Sequence, residues 1–270
     1  MLLTRHQTTF GPRWAYDGHF LPPGLTLATL LTFPQTAMVA LLEAMPAGEA
    51  ATGDLLTPVE AAHEVWGSGV TYLRSRDARK AESAVADVYQ RVYEAERPEL
   101  FFKSAGWRAV GTGQPVRLRQ DATWNVPEPE LTLVINAHRE IVGFTVGNDM
   151  SSRDIEGENP LYLPQAKSYN GSCAVGPGIE LVVEADLADL PITLEIRRAG
   201  NPIFVGDTST SKMKRKFGEL VAYLCRELDF PHGVFLMTGT GVVPGDNFTL
   251  KPGDLIRVKV AALKLENTVA

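Results

Sequence analysis

The run Glu128-Pro129-Glu130-Leu131-Thr132-Leu133-Val134-Ile135-Asn136-Ala137-His138-Arg139-Glu140-Ile141-Val142-Gly143-Phe144-Thr145-Val146-Gly147-Asn148-Asp149 places a polar loop between two apolar, partly β-branched segments. That pattern predicts a β-hairpin with the loop at Ala137 to Glu140. With the turn centred between His138 and Arg139, residues whose numbers sum to 277 face one another. Glu128 then lies opposite Asp149, and Glu130 stands one step along on the same strand face. Three carboxylates at one point repel unless a cation neutralises them. An all-oxygen set suits a hard divalent ion, Mg²⁺ before Mn²⁺ or Ca²⁺. The alternative is a solvated acidic hairpin end, with Pro129 marking an edge strand. Spacing leaves both open.

The chain has 270 residues, 44% of them hydrophobic and 21% charged, enough for one large domain or a catalytic domain plus a smaller one. A net charge of −6 argues against a nucleic-acid partner. The basic run Lys212 to Lys216 reads as the solvated face of a helix. No apolar run approaches the ~20 residues of a membrane span, and the start lacks a signal-peptide core. Cys173 and Cys225 make neither a disulfide framework nor a CxxC site, so the expected compartment is the reducing cytoplasm.

Residues 1–95 differ in texture from the rest and are expected to form a small N-terminal α/β domain, leaving 96–270 as the catalytic domain. In the first part, Val85, Val88, Tyr89 and Val92 predict a helix over 77–96 that Pro98 stops. Beyond Pro98 the chain is strand-rich, with turn signals at Gly176-Pro177-Gly178, Ala199-Gly200-Asn201 and Pro252-Gly253-Asp254. One helix interrupts it: Met213, Phe217, Leu220, Val221, Leu224 and Leu228 form an apolar stripe, with N-caps available from Thr208 to Ser211. The fold class is therefore α+β, mostly β.

These residues resemble the fumarylacetoacetate hydrolase superfamily. The pattern of an E-x-E followed by G-N-D-x-S-x-R-D occurs as Glu128-Pro129-Glu130 and Gly147 to Asp154. Lys167 precedes Gly171, Cys173 and Gly176-Pro177, and the late T-G-T-G motif is Thr238-Gly239-Thr240-Gly241. The resemblance implies a mixed β-sandwich roll that holds Mg²⁺ through Glu128, Glu130 and Asp149, in a homodimer or higher homo-oligomer. Within the superfamily, Arg97 to Lys103 and Glu156 to Lys167 look most similar to the branch of 2-keto-3-deoxy-pentonate dehydratases. The C–C hydrolases of the superfamily commonly carry a His-x-x-Glu lid after a G-x-N-Y turn. Here Thr71-Tyr72 leads into Leu73-Arg74-Ser75-Arg76-Asp77-Ala78, and His63 lies before the tyrosine. Glu156 stands where hydrolases often have glutamine.

A 2-oxo acid substrate chelated to a metal is acidified at C3, because the cation stabilises the enolate formed. The resemblance nominates Glu99 and Lys167 for the proton transfers, with Lys167 alternatively a simple counter-charge to the ligating carboxylates. Glu99 has its own structural alternative, an ion pair with Arg97 or Lys103. Thr240, Arg153, Phe102 and Glu156 are expected to contact substrate. For Arg153 the alternative is a structural ion pair, and for Phe102 and Tyr162 it is plain packing. Cys173 reads as a packed thiol. The leading function is a Mg²⁺-dependent dehydratase of a 2-keto-3-deoxy sugar acid. The alternatives are a hydrolase of acylpyruvates or fumarylacetoacetate-like diketo acids, and a non-catalytic metabolite-binding protein on the same scaffold.

Overall fold

A computed structural model describes residues 1–74, 86–182 and 184–270. In chain order its strands are β1 (Leu2–Thr8), β2 (Gly11–Tyr16), β3 (His19–Phe20), β4 (Leu55–Leu56), β5 (Glu64–Gly69), β6 (Glu99–Ala105), β7 (Asn125–Val126) and β8 (Pro129–Ile135). They continue as β9 (Ile141–Asp149), β10 (Ser151–Ser152), β11 (Cys173–Leu181), β12 (Pro191–Arg198), β13 (Asn201–Ser209), β14 (Val234–Met237), β15 (Leu255–Val260) and β16 (Leu263–Thr268). The predicted hairpin is β8–β9, and it sits in the middle of a ten-stranded sheet ordered β3-β2-β1-β11-β9-β8-β14-β5-β6, with β4 beside β1. Neighbours run antiparallel except β14 and β5, which are parallel. A four-stranded sheet, β13-β12-β15-β16, packs against it.

Every residue of β8 and β9 is buried, because the hairpin is covered on both faces. That is why its sequence reads as continuous apolar runs rather than an alternation. Leu131, Leu133, Phe144 and Val146 pack with Leu194, Ile196, Val258 and Leu265 of the smaller sheet. Val134 and Val142 point the other way, into Leu27, Leu30, Met38 and Leu42 of the N-terminal helices Leu27–Leu30 and Gln35–Ala44. Full burial of each such side chain contributes about 1.5–3 kcal/mol. The mostly β, α+β sandwich expected from the sequence is what the chain forms. The sheet itself crosses residue 95, since β1 pairs with β11 and β5 with β14 and β6. The division into 1–95 and 96–270 stands as a proposal about folding units.

Three local expectations need correction. The helix of the second part is Phe217–Leu224, with Phe217, Leu220, Val221 and Leu224 buried. Met213 lies before it, bridged to Tyr72, and Leu228 is exposed beyond its end. Thr208 and Ser209 belong to β13 instead of capping it, and Ser209 accepts from Ser211 N in a separate turn. The basic run is only partly solvated. Arg215 is buried and donates to the carbonyls of Ala95 (2.6 Å) and Glu96 (2.8 Å), just past the helix Ala86–Glu94. A cation there satisfies orphan carbonyls at a helix C-terminus. Gly176-Pro177-Gly178 does not reverse the chain: it is an irregularity within β11, between Gly176 and Glu180. The predicted helix over 77–96 is seen from Ala86, with Tyr89 buried; residues 77–85 lie outside the described residues. Among the described residues, no helix is long and apolar enough to cross a membrane.

Candidate active site

The hairpin register delivers the acids. Pro129 faces Asn148, Glu130 faces Gly147 and Leu131 faces Val146, so the sum of 277 holds along the strands. It slips only between Val134 and Ile135, next to the loop, where Arg139 closes the turn at φ +65°. One step past the strand end, Asp149 N donates to Glu128 O at 3.0 Å. Glu128, Glu130 and Asp149 are all buried, and each offers an oxygen within 4.8 Å of the others. A Cβ on Gly147, opposite Glu130, would come within 2.3 Å of Thr132 Oγ1, so the close packing beside the acids requires glycine.

Three cations are drawn in around them. Lys167 ends the helix Leu163–Lys167, and its Nζ donates to Glu128 Oε2 (2.7 Å), Asp149 Oδ2 (2.8 Å) and Ser151 Oγ (2.6 Å). Arg153 opens the helix Arg153–Glu158 and joins Glu128 (2.6 Å) to Glu156 (3.0 Å). Lys103 on β6 reaches Asp149 Oδ1 at 2.5 Å. Glu130 Oε2 instead accepts from Gly239 N at 2.6 Å. Gly239 has φ +90°, and a Cβ there would lie 2.0 Å from Thr71 Oγ1. The T-G-T-G turn thus presses its backbone onto Glu130 because that position is glycine.

Among the described residues, the ion pairs of the cluster join Glu128, Asp149 and Glu156 to Lys167, Arg153 and Lys103, while Glu130 takes a backbone N–H. Burial, and then the charges of Asp149 and Glu128, push the Glu130 carboxyl well above the ordinary glutamate range. Cys173 sits opposite Asp149 on β11, and burial pushes its thiol up to about 12. It is a packed thiol, as its sequence context implied.

The remaining predicted residues divide. Glu99 and Phe101 lie on β6 opposite Gly69 and Gly67, and their side chains fill the space those glycines leave. The Phe101 ring centroid is 5.7 Å from Lys167 Nζ. Phe102 turns to the other face and meets Trp66 edge-on at 5.9 Å. The ring that walls the acid cluster is therefore Phe101, not Phe102, because alternate strand residues point to opposite faces. Thr240 is buried, but its hydroxyl is engaged with Val242 O (3.0 Å) and Val242 N (3.2 Å) in a local turn. Arg153 bonds Glu128 and Glu156, and Asp154 accepts from Thr123 N and Oγ1. Arg97 stacks on Tyr223, and Lys103 is committed to Asp149. Tyr162 is partly exposed.

Sequence reasoning assigned no part in the site to Lys103, Phe101, Ser151 or Tyr72. The signal for two of them was present: 99, 101 and 103 share one strand face, so placing Glu99 in the site also places Phe101 and Lys103 there. Tyr72 is buried near Glu130, whose charge adds to burial in raising its phenol. Ser151 only emerges from the fold, through its bond to Lys167.

The donor set fits a hard divalent ion. Two oxygens on opposite sides of an octahedral Mg²⁺ are about 4.2 Å apart, within the reach of these three carboxylates. Relief of the repulsion among carboxylates gathered this closely supplies the driving force. Soft thiolate or imidazole donors, which favour other metals, are not in the group.

Known proteins point the same way. The chain is 45% identical over 216 residues to a "Probable 2-keto-3-deoxyxylonate dehydratase" of Haloferax volcanii, covering 78% of this chain and 73% of that one. It is 44% identical over 207 residues to the "2-dehydro-3-deoxy-D-arabinonate dehydratase" of Saccharolobus solfataricus, covering 73% and 68%. A solved structure described as "2-keto-3-deoxy-D-arabinonate dehydratase complexed with magnesium and 2,5-dioxopentanoate" superposes at a TM-score of 0.84, with 33% identity, over 100% of this chain and 98% of that one. Residues 64–270 match the family described as Fumarylacetoacetate (FAA) hydrolase C-terminal, so this chain, with its paired hairpin acids, belongs to the fumarylacetoacetate hydrolase family.

Proposed function

We propose that the protein is a Mg²⁺-dependent dehydratase of a 2-keto-3-deoxypentonate, releasing water and leaving 2,5-dioxopentanoate. The observation that carries this is the buried set Glu128, Glu130 and Asp149 with Lys167 bonded across two of its members. Its setting, a chain similar over most of its length to pentonate dehydratases, selects the chemistry. With C2 a ketone and C3 a methylene, C4 is the only stereocentre left in such an acid. Arabinonate- and xylonate-derived substrates of one series are thus the same compound.

A divalent cation, Mg²⁺ or in its place Mn²⁺ or Ca²⁺, held by Glu128, Glu130 and Asp149 would draw electron density from the C2 ketone and acidify the C3 hydrogens. The chain's own groups handle the protons. Glu99 takes one from C3, and Lys167 supplies the proton that leaves with the C4 hydroxyl as water. The remaining C3–C4 alkene lies beside a CH₂OH group. Shifting one proton from C5 to C3 and converting the resulting enol to an aldehyde completes the product, with nothing further lost. The backbone of the turn that Thr240 braces through Val242 binds the substrate carboxylate. Arg153 and Glu156, locked to one another, orient Glu128, and Phe101 shields the reacting end from water. A homo-oligomer is the proposed assembly.

Incubating the protein with 2-keto-3-deoxy-D-arabinonate and Mg²⁺ should give the aldehyde proton of 2,5-dioxopentanoate by NMR, and EDTA should stop it. Turnover of acylpyruvates to pyruvate and a second acid, with the sugar acid untouched, would move the protein to the hydrolases. Binding of the sugar acid with no turnover of either substrate would leave a metabolite-binding scaffold.

A further inference from the structure

Two buried lysines grip Asp149, one on each oxygen, and they are anchored differently. Lys167 Nζ donates to three side chains, Glu128, Asp149 and Ser151. Lys103 Nζ holds Asp149 Oδ1 at 2.5 Å and also two backbone carbonyls, Met150 O at 2.9 Å and Lys167 O at 2.5 Å. Its side chain is fully enclosed. Side-chain partners can rearrange around Lys167, whereas moving Lys103 would strand two buried carbonyls at a cost of about 1–3 kcal/mol each. Lys103 is therefore the fixed member of the pair, and its ammonium stands against Asp149 Oδ1 as an ion pair, its hydrogen bonds going to the two carbonyls.

We infer that Lys103 is a metal-selectivity residue: by holding Asp149 Oδ1, it leaves the ligand set one oxygen from Asp149 and so favours Mg²⁺ over Ca²⁺. Mg²⁺ takes six ligands in a tight octahedron, while Ca²⁺ gains from bidentate carboxylates and higher coordination. A lysine, with its compact ammonium, suits a single oxygen, where the arginine fork would seek both. Lys103 acts here through Asp149, as a positioning residue. The inference rests on the proposed reading of the three acids as a metal site.

Calorimetric titration of EDTA-treated protein with MgCl₂ and with CaCl₂ tests it without reference to turnover. Wild type should bind Mg²⁺ at least roughly tenfold more tightly than Ca²⁺, and Lys103→Met should narrow that ratio by about tenfold or more, mainly by strengthening Ca²⁺. Loss of a buried cation through structural damage alone would weaken both ions together, and that result overturns the inference. Lys103→Gln, which keeps a donor without the charge, should narrow the ratio partway. Should neither variant fold, the wild-type ratio decides. Equal affinity for the two ions removes the selectivity role while the metal site stands, whereas wild type that binds neither ion removes the metal reading itself.

Discussion

Asp254 and Asp149 are both buried aspartates at the ends of strands, yet they sit in opposite electrostatic settings. Asp254, just before β15, is clasped by Arg198 through two bonds of 2.7 Å and accepts from Lys251 N at 2.9 Å. One acid meets one guanidinium, and the account closes. Asp149 instead sits with Glu128 and Glu130, their oxygens within 4.8 Å of one another, so like charge is gathered around it. A buried carboxylate is thus no sign of a site by itself. The sign is several buried carboxylates converging on one point.

The comparison is sharpest at Glu130, which has a backbone N–H partner and, among the described ion pairs, no cation of its own. Glu130→Ala should reduce turnover to background and abolish Mg²⁺ binding, while the metal-free protein melts no lower than wild type, because repulsion is relieved. A fall in melting temperature without loss of metal binding would place Glu130 in the same class as Asp254. Glu99 tests the site from outside the ligand set. Glu99→Gln should slow turnover by about 10²–10⁴-fold with Mg²⁺ affinity near wild type. A wild-type rate would take Glu99 out of the chemistry. At Asp254 the expected effect is on folding alone: Asp254→Ala should cost about 1–3 kcal/mol, since Arg198 is a third exposed and regains water. Its turnover per folded molecule should match wild type, and a specific loss of turnover would show the two aspartates are not so different.

Much of this contrast was legible in the sequence, for physical reasons. A strand's period of two and one tight turn suffice to pair Glu128 with Asp149, because one face cannot slip without burying the wrong residues. The same rule applied to β6 would have found Lys103 and Phe101. It also puts Phe102 on the opposite face, against Trp66, in the packing role that was its alternative. What sequence could not supply was the long-range part. Lys103 lies 46 residues before Asp149, and the bond joining them depends on β6 taking the edge of a sheet whose order is not sequential. The shorter helix at Phe217–Leu224 has a similar cause. Lys214 N donates to Thr71 O at 2.9 Å, so tertiary pairing holds Met213 and Lys214 extended where the apolar stripe alone would continue the helix.

The central claim is that the hairpin acids carry charge meant for a divalent cation, and Glu130 gives it a pH signature. Its carboxyl is raised, so the metal-free fold keeps a proton that an unfolded glutamate has lost. That contribution to stability is full below the unfolded glutamate range and disappears as pH rises through the folded value. Binding a cation must then expel the proton. Calorimetric titration of EDTA-treated wild type with MgCl₂ at several pH values, in buffers of different ionisation heat, measures this directly. The account predicts one ion per chain, tighter binding as pH rises and proton release on binding; absence of Mg²⁺ binding across that range would contradict it.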